Sequence, residues 1–331
     1  MINVGVIGAG YWGPNLIRNF IKHNNANLKK VCDLKEGRLE FIRKSYPDLS
    51  LTKDSNEIIN NPGIDAVVIA TPVNTHKEIA IKSIEKGKHV FIEKPLSDNY
   101  NDALEVVNLA ENNGRILAVG HIFQFAPAVT AIKREIENGL LGELYHFSSQ
   151  RINLGPPDTT VDVVWDLGPH DLSILFYLFD EYPNCVNAFG SSYWWNGVID
   201  NAHIFLDFPG KRTAHIHLSW LSSNKIRSSS VFGSEGNIEY DETKPDEEKV
   251  IFYDKGIDSR INAKYSDVKD LKYGKGETKN IVFEKGEPLY LEVDAFINAV
   301  LKNEQPINNG VIGCEVVKVL EQASKSIKFK Q

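Results

Sequence analysis

The most constraining stretch of this chain is its opening, where Val4-Gly5-Val6-Ile7 runs into Gly8-Ala9-Gly10-Tyr11-Trp12-Gly13 and then into Pro14-Asn15-Leu16-Ile17-Arg18-Asn19-Phe20. It reads as a strand, a glycine turn and a helix. A G-x-G-x-x-G alone is a weak signal. Here a β-rich run precedes it, an amphipathic segment follows it, and Asp33 stands twenty positions beyond Gly13. Together these make the complete dinucleotide-binding fingerprint. Gly8 permits the tight turn, Gly10 lets backbone N–H groups approach a pyrophosphate, and Gly13 lets the helix pack closely on the strand.

The 331 residues are enough for two domains with substantial cores. With 42% hydrophobic and 24% charged residues the composition is that of an ordinary globular protein. No apolar run approaches the roughly 20 residues that span a bilayer. The chain opens on a strand with no basic region and hydrophobic signal core before it, so a cytoplasmic location is expected. Cys32, Cys185 and Cys314 lie far apart without C-x-x-C spacing, which argues against a disulfide framework and against a zinc site. A formal charge of −7 argues against nucleic-acid binding through bulk charge, while a local basic pocket for a phosphorylated small molecule is compatible with it.

Strands and helices alternate through residues 1 to about 120. Strands are expected at Leu28 to Cys32, Asp65 to Ala70, His89 to Ile92 and Ile116 to Gly120, with helices at Arg38 to Tyr46, His76 to Lys86 and Tyr100 to Asn113. Such βαβ repetition predicts a doubly wound parallel Rossmann sheet over residues 1–121. Beyond it the chain becomes β-rich, with strands expected at 144–153, 185–192, 202–208, 213–220, 228–232, 237–240 and 250–253. Residues 122–331 are therefore read as an α/β domain on a large, mostly antiparallel open sheet that binds substrate and oligomerises. Helices are expected in it at 127–138, 169–179, 291–301 and 313–327, and the polar stretch 244–279 is expected to be loop-like apart from one short strand.

Ligands of open α/β sheets bind beyond the carboxyl ends of the strands. Three strand ends therefore belong together: the glycine turn, Thr71-Pro72-Val73-Asn74-Thr75-His76, and Glu93-Lys94-Pro95. Gly8, Gly10, Tyr11, Trp12, Gly13, Asp33, Thr71, Pro72, Asn74, His76, Glu93, Lys94 and Gln124 are the candidate cofactor contacts. An ammonium at the end of a buried strand is costly without a function or a partner, so Lys94 is either a reacting group or a member of an ion pair such as one with Glu93. The second constellation is Trp165-Asp166-Leu167-Gly168-Pro169-His170-Asp171. On a helix Asp166 and His170 share a face, and a carboxylate that orients an imidazole makes it a directed base. If the helix instead starts at Pro169, Asp166 lies in the preceding turn and could cap it. His215 and His217 share a strand face but have no third ligand in view, so no metal is expected. Tyr193-Trp194-Trp195 reads as core or interface.

Taken together, these motifs resemble the Gfo/Idh/MocA family of two-domain, nicotinamide-dependent oxidoreductases. The Glu-Lys-Pro motif with the later Asp-x-x-x-His carries most of the likeness, and Glu287 to Glu292 with the terminal helix extends it across nearly the whole chain. The resemblance implies that Lys94 and His170 act on the reacting hydroxyl, that Asp166 supports His170, and that the Lys94–Pro95 peptide is cis. It implies NAD as cofactor, with Asp33 on the adenosine ribose hydroxyls, although Lys35 and Arg38 lie nearby. It also implies a homodimer or homotetramer through the C-terminal sheet. Val119 to Phe123, Ser149 to Gly155, Trp165 to Asp171 and His215 to Leu221 are similar to a branch that serves surface-polysaccharide and lipid A synthesis. There the expected reaction is oxidation of C3 of UDP-N-acetylglucosamine to a 3-keto sugar, consumed by an aminotransferase. Substrate contacts are then sought at His121, Arg151, Asn153, Trp165, Lys225 and Arg227, with the basic ones on the diphosphate. Many members carry an arginine before the aromatic of the x-F-x-P segment, whereas this chain has Gln124-Phe125-Ala126-Pro127, so assignments made through that arginine do not transfer. The alternatives are a dehydrogenase of another nucleotide sugar or of a free inositol or sugar, and a cofactor-binding regulator without catalysis.

Overall fold

The computed structural model describes residues 1–155, 161–194, 197–254 and 276–327. In chain order its elements are β1 (Ile2–Ile7), α1 (Gly13–Lys22), β2 (Ala26–Cys32), α2 (Glu36–Ser45), β3 (Ser50–Thr52), α3 (Asn56–Ile59), β4 (Ala66–Ile69), α4 (His76–Glu85), β5 (His89–Ile92), α5 (Tyr100–Asn112) and β6 (Leu117–Val119). There follow α6 (Pro127–Glu137), β7 (Leu144–Ile152), α7 (Val163–Phe179), β8 (Cys185–Ser191), β9 (Asn201–Asp207), β10 (Thr213–Ser219), β11 (Ile226–Gly233), β12 (Gly236–Asp241), β13 (Val250–Tyr253), β14 (Thr278–Asn280), α8 (Pro288–Lys302) and α9 (Gly310–Ser326). Two compact units result. One comprises Met1–Phe125 and Gly286–Lys318, the other Ala126–Lys285 and Val319–Gln331, so Gly286–Lys318, read from sequence as part of the second domain, belongs to the first unit.

The first unit carries a parallel sheet in the order β3-β2-β1-β4-β5-β6. Every residue of β4 is buried, as a strand covered on both faces requires. Chain direction across the sheet reverses between β1 and β4, which puts the ligand crevice at their carboxyl ends. The sequence reading missed β3 and α3, which have only three and four residues and so too short a pattern for periodicity to register. The core is completed from far along the chain: Leu289, Val293, Phe296, Ile297 and Ala299 of α8 join Val4, Val6, Leu16, Phe20 and Phe91. Phe20, Phe91 and Phe296 meet edge to face at centroid distances of 6.3, 6.4 and 5.6 Å.

The second unit is built on an eight-stranded sheet in the order β14-β13-β12-β11-β7-β10-β9-β8. Its pairings are antiparallel except that of β7 with β10, as the mostly antiparallel prediction expects. Ala202, Ile204 and Leu206 of β9 and Ala214, Ile216 and Leu218 of β10 point into the core against α7. The alternate positions, His203, Phe205, His215 and His217, line the opposite face.

Helix α7 starts six residues earlier than the Gly168-Pro169 pair suggests. Asp162 caps it, accepting from the N–H groups of Val164 at 3.0 Å and Trp165 at 3.1 Å, and Pro169 lies inside the helix. Pro169 removes one intrahelical bond. The adjacent Gly168 lets the helix approach closely, because a Cβ there would sit 2.8 Å from Leu320 and 3.3 Å from Leu218. Of the polar stretch 244–279, the parts up to 254 and from 276 form a 3₁₀ turn at Asp246–Glu248, β13 and part of β14. Residues 255–275, together with Trp195, lie outside the described residues.

Candidate active site

The glycine turn has the form its sequence predicts. Gly8 has φ of 104°, and a Cβ on it would fall 2.3 Å from the Ala70 carbonyl oxygen. At Gly13 a Cβ would lie 2.5 Å from the Gly8 carbonyl oxygen, so both glycines are required where β1, β4 and α1 converge. Gly10 has nothing within 4 Å of the corresponding position, leaving its backbone open to a ligand. Asp33 braces the turn from the end of β2: Oδ2 accepts from the Ala9 N–H at 2.7 Å and Oδ1 from the Lys35 N–H at 2.8 Å. This is a cradle of N–H donors for an anion at a helix N-terminus, beside a carboxylate acceptor, the combination that a dinucleotide requires. Tyr11 projects into solvent with 91% of its surface exposed.

At the end of β4 the candidates divide. Pro72 and Asn74 are exposed, and Thr71 accepts from the Thr75 hydroxyl at 2.7 Å. His76 is buried with Nδ1 3.0 Å from the Pro95 carbonyl and Nε2 2.9 Å from the Thr71 carbonyl, and burial lowers its pKa. Its ring holds the turns after β4 and β5 together. Beyond β5 the Lys94–Pro95 peptide is cis, as the family resemblance implies. Lys94 is half-buried, and its backbone N–H donates to Glu93 Oε2 at 3.3 Å. The Trp12 indole N–H also donates to Glu93, which connects the glycine turn to the Glu-Lys-Pro segment. Burial pushes the Glu93 carboxyl up to about 7 against the opposing charge of Lys94. His121 and Gln124 are both buried, and burial with the Lys94 charge holds His121 down to about 3, as a neutral ring.

The sequence reading passed over Glu292. It is fully buried on α8, and burial together with the charge of Glu93 raises its carboxyl well above the usual range. A signal was present: Leu289, Val293, Phe296 and Ile297 form an apolar stripe at helical spacing, and Glu292 interrupts it.

In the second unit, Asp166 and His170 lie on one face of α7, a helical turn apart. Asp166 Oδ2 accepts from the indole N–H of the buried Trp220 at 3.2 Å. Gly155 makes room for that indole, since a Cβ there would sit 2.9 Å from it. Trp165 is directed elsewhere, donating to Ser324 Oγ at 3.0 Å. Arg151 is buried and its Nε–H donates to Asp171, while Nη1 lies 3.4 Å from Glu242. Arg227 donates to the other oxygen of Glu242 at 2.7 Å. These two arginines thus form an internal ion network, whereas Lys225 is exposed and Asn153 is half-buried, its N–H on the Ser219 carbonyl at 3.0 Å. On the open sheet face, His203 Nδ1 lies 3.2 Å from His215 Nε2 and His217 Nε2 lies 2.9 Å from Asn201 Oδ1. Among the described residues no group of three or more His, Cys, Asp or Glu side chains could hold a metal ion. Nor is any helix among them long and apolar enough to cross a membrane.

Comparison with known proteins places this geometry in a family. Residues 2–121 match the model of an oxidoreductase family with an NAD-binding Rossmann fold, GFO_IDH_MocA, and residues 129–239 match the GFO/IDH/MocA C-terminal domain. The chain is similar to myo-inositol 2-dehydrogenase of Thermotoga maritima, at 27% identity over 345 aligned positions that cover 100% of this chain and 97% of the relative. It is also 28% identical over 259 residues to 2,7-anhydro-N-acetylneuraminate hydratase of Escherichia coli, covering 73% of this chain and 68% of the relative. UDP-N-acetylglucosamine 3-dehydrogenase from Acidithiobacillus ferrooxidans has the same fold, with a TM-score of 0.82 at 21% identity over 98% of this chain and 97% of that one. The chain belongs to the Gfo/Idh/MocA family of NAD-dependent oxidoreductases.

Proposed function

We propose that this enzyme oxidises a secondary hydroxyl on the ring of a sugar or cyclic polyol. The observation that carries the reading is Lys94 at the end of β5, in a segment that the Trp12–Glu93 hydrogen bond ties to the dinucleotide turn; the second unit by itself offers an aspartate and a histidine one turn apart on α7. The backbone N–H groups of Gly8 to Gly13 would hold the pyrophosphate of NAD and Asp33 the adenosine ribose; when bound, the cofactor accepts the hydride. His170, oriented by Asp166, takes the hydroxyl proton as the hydride leaves. Lys94 donates to the same oxygen and stabilises the carbonyl as it forms, or itself acts as the base. Asp166, held by Trp220, fixes the imidazole and supports its positive charge.

The substrate we place first is a UDP-linked N-acetylhexosamine oxidised at C3, with a 3-keto product suited to an aminotransferase. The motif similarity to the lipid A branch supports it. A free inositol is the second reading, favoured by the full-length similarity to an inositol dehydrogenase and by the engagement of Arg151 and Arg227 with acidic partners. Absorbance of reduced NAD separates them when the enzyme is offered UDP-N-acetylglucosamine, UDP-glucose, myo-inositol, scyllo-inositol and glucose in turn. Turnover confined to the free polyols would remove the nucleotide-sugar reading. Turnover of none would remove both of these substrate readings. We further propose a homodimer or homotetramer through the open face of the C-terminal sheet, where Phe189 and Phe205 are exposed. A solution mass equal to one chain would overturn it.

A further inference from the structure

Two carboxyl groups in the first unit, on Glu93 and Glu292, each leave one oxygen buried without a hydrogen-bond partner among the described residues. Glu292 is 0% exposed; Oε1 lies 3.4 Å from Asn308 Nδ2, and Oε2 has no hydrogen-bond partner among the described residues. Asn308 is anchored on β6, donating to the Val119 carbonyl at 2.7 Å and accepting from the Val119 N–H at 2.8 Å. The next residue, Gly120, lies directly against Glu93, since a Cβ on it would be 2.9 Å from Glu93 Oε2. Glu93 Oε1 is likewise buried and unpartnered among the described residues. The other titratable groups facing this cluster are Lys94, which follows Glu93 in the chain, and His121, whose ring nitrogens are both buried without partners among the described residues. The charge of Glu93 acts on Glu292, and that of Lys94 on both Glu93 and His121.

An isolated carboxylate is costly to bury, and two neighbouring ones more so, so such a pair retains a proton. Trp12 connects it to the dinucleotide turn through its hydrogen bond to Glu93. We propose that Glu93 and Glu292 form a proton-holding pair beneath the cofactor site, in which Glu292 stays neutral and Glu93 gives up its proton when the oxidised, cationic form of the cofactor binds. The two titrate as a unit, the first proton leaving mainly from Glu93, whose carboxyl is held at about 7, while burial and the Glu93 charge hold the Glu292 carboxyl well above the ordinary carboxylate value. A cation brought to the strand ends favours the ionised form of Glu93, and the neutral ring of reduced NAD does not. The inference rests on the cofactor assignment and not on the choice of substrate.

Two measurements test it. In calorimetric titrations with NAD⁺ in buffers of different ionisation enthalpy near pH 7, the wild type should release a fraction of a proton, and its affinity should tighten by up to about tenfold per pH unit as pH rises toward 7. Reduced NAD should release none. Glu93→Gln should abolish both the release and the pH dependence of affinity. Equal release by Glu93→Gln, or equal release with reduced NAD, would overturn the coupling, as would failure to bind NAD⁺ at all. The pair itself is tested without cofactor. A carboxyl whose pKa is raised on folding contributes stability at low pH that is lost as pH rises through the folded value. Relative to Glu292→Gln, the wild-type Tm should therefore fall by at least about 2 °C between about pH 5 and pH 8. Parallel Tm curves for wild type and Glu292→Gln would show that Glu292 holds no proton and would overturn the pair.

Discussion

The acid–base side chains differ in how far their sequence neighbours encode their chemistry. Lys94 and the Asp166–His170 pair are legible in sequence because their chemistry is encoded by neighbours: a strand ending in Glu-Lys-Pro, and two titratable groups four positions apart. Glu292 is not legible in that way, because its meaning depends on Glu93, about two hundred positions away, and only packing brings the two together. Arg151 shows the opposite limit. A basic residue late on a strand reads as a ligand contact, but Asp171 and Glu242 already neutralise it. Lys94→Ala should lower turnover by at least about a hundredfold, as loss of a positioned proton-transfer group does. The check is steady-state kinetics beside an unchanged circular dichroism spectrum and melting curve, and near-normal turnover would remove Lys94 from the chemistry. Asp166→Asn should slow turnover while leaving NAD⁺ affinity intact, since it removes a negative charge one turn from His170 on α7 and changes nothing in the glycine turn. Equal losses in both would assign Asp166 a structural role.

At the element scale, the glycine turn and α7 show why some local patterns decide structure and others mislead. Gly8 sits at positive φ against the Ala70 backbone, so no side chain fits without moving β4. Gly8→Ala should destabilise the protein by about 1–3 kcal/mol or more and weaken NAD⁺ binding together with it, as strain at such a position does. Chemical denaturation and a binding titration measure the two effects, and a neutral substitution would mean the turn relaxes. In α7 the Gly-Pro pair looks like a helix start because proline suits the first turn. Asp162 wins by supplying two capping hydrogen bonds six residues upstream, and the helix keeps Pro169 inside. Asp162→Ala should cost about 0.5–2 kcal/mol of unfolding free energy, read from the denaturant midpoint.

For the whole molecule, the sequence shows two halves through the change from βαβ repetition to strand after strand, but it cannot show that the first half is finished by a late segment. Helix α8 is amphipathic wherever it packs, and its stripe does not name a partner. The structure supplies that partner: Phe296 fills the space between Phe20 and Phe91, and the Arg18–Glu287 pair and the His23–Asp294 contact at 3.0 Å fix α8 on α1. The Rossmann unit is therefore discontinuous, and residues 1–125 alone would expose the apolar faces that α8 covers. In the full chain, Phe296→Ala should cost about 3–5 kcal/mol, the usual penalty for emptying a buried aromatic site. The isolated fragment 1–125 should lack a cooperative melt and bind a hydrophobic dye, whereas the same fragment joined by a flexible linker to 286–318 should regain the transition. A sharp melt for 1–125 alone would show that α8 is an accessory to this core and not part of it.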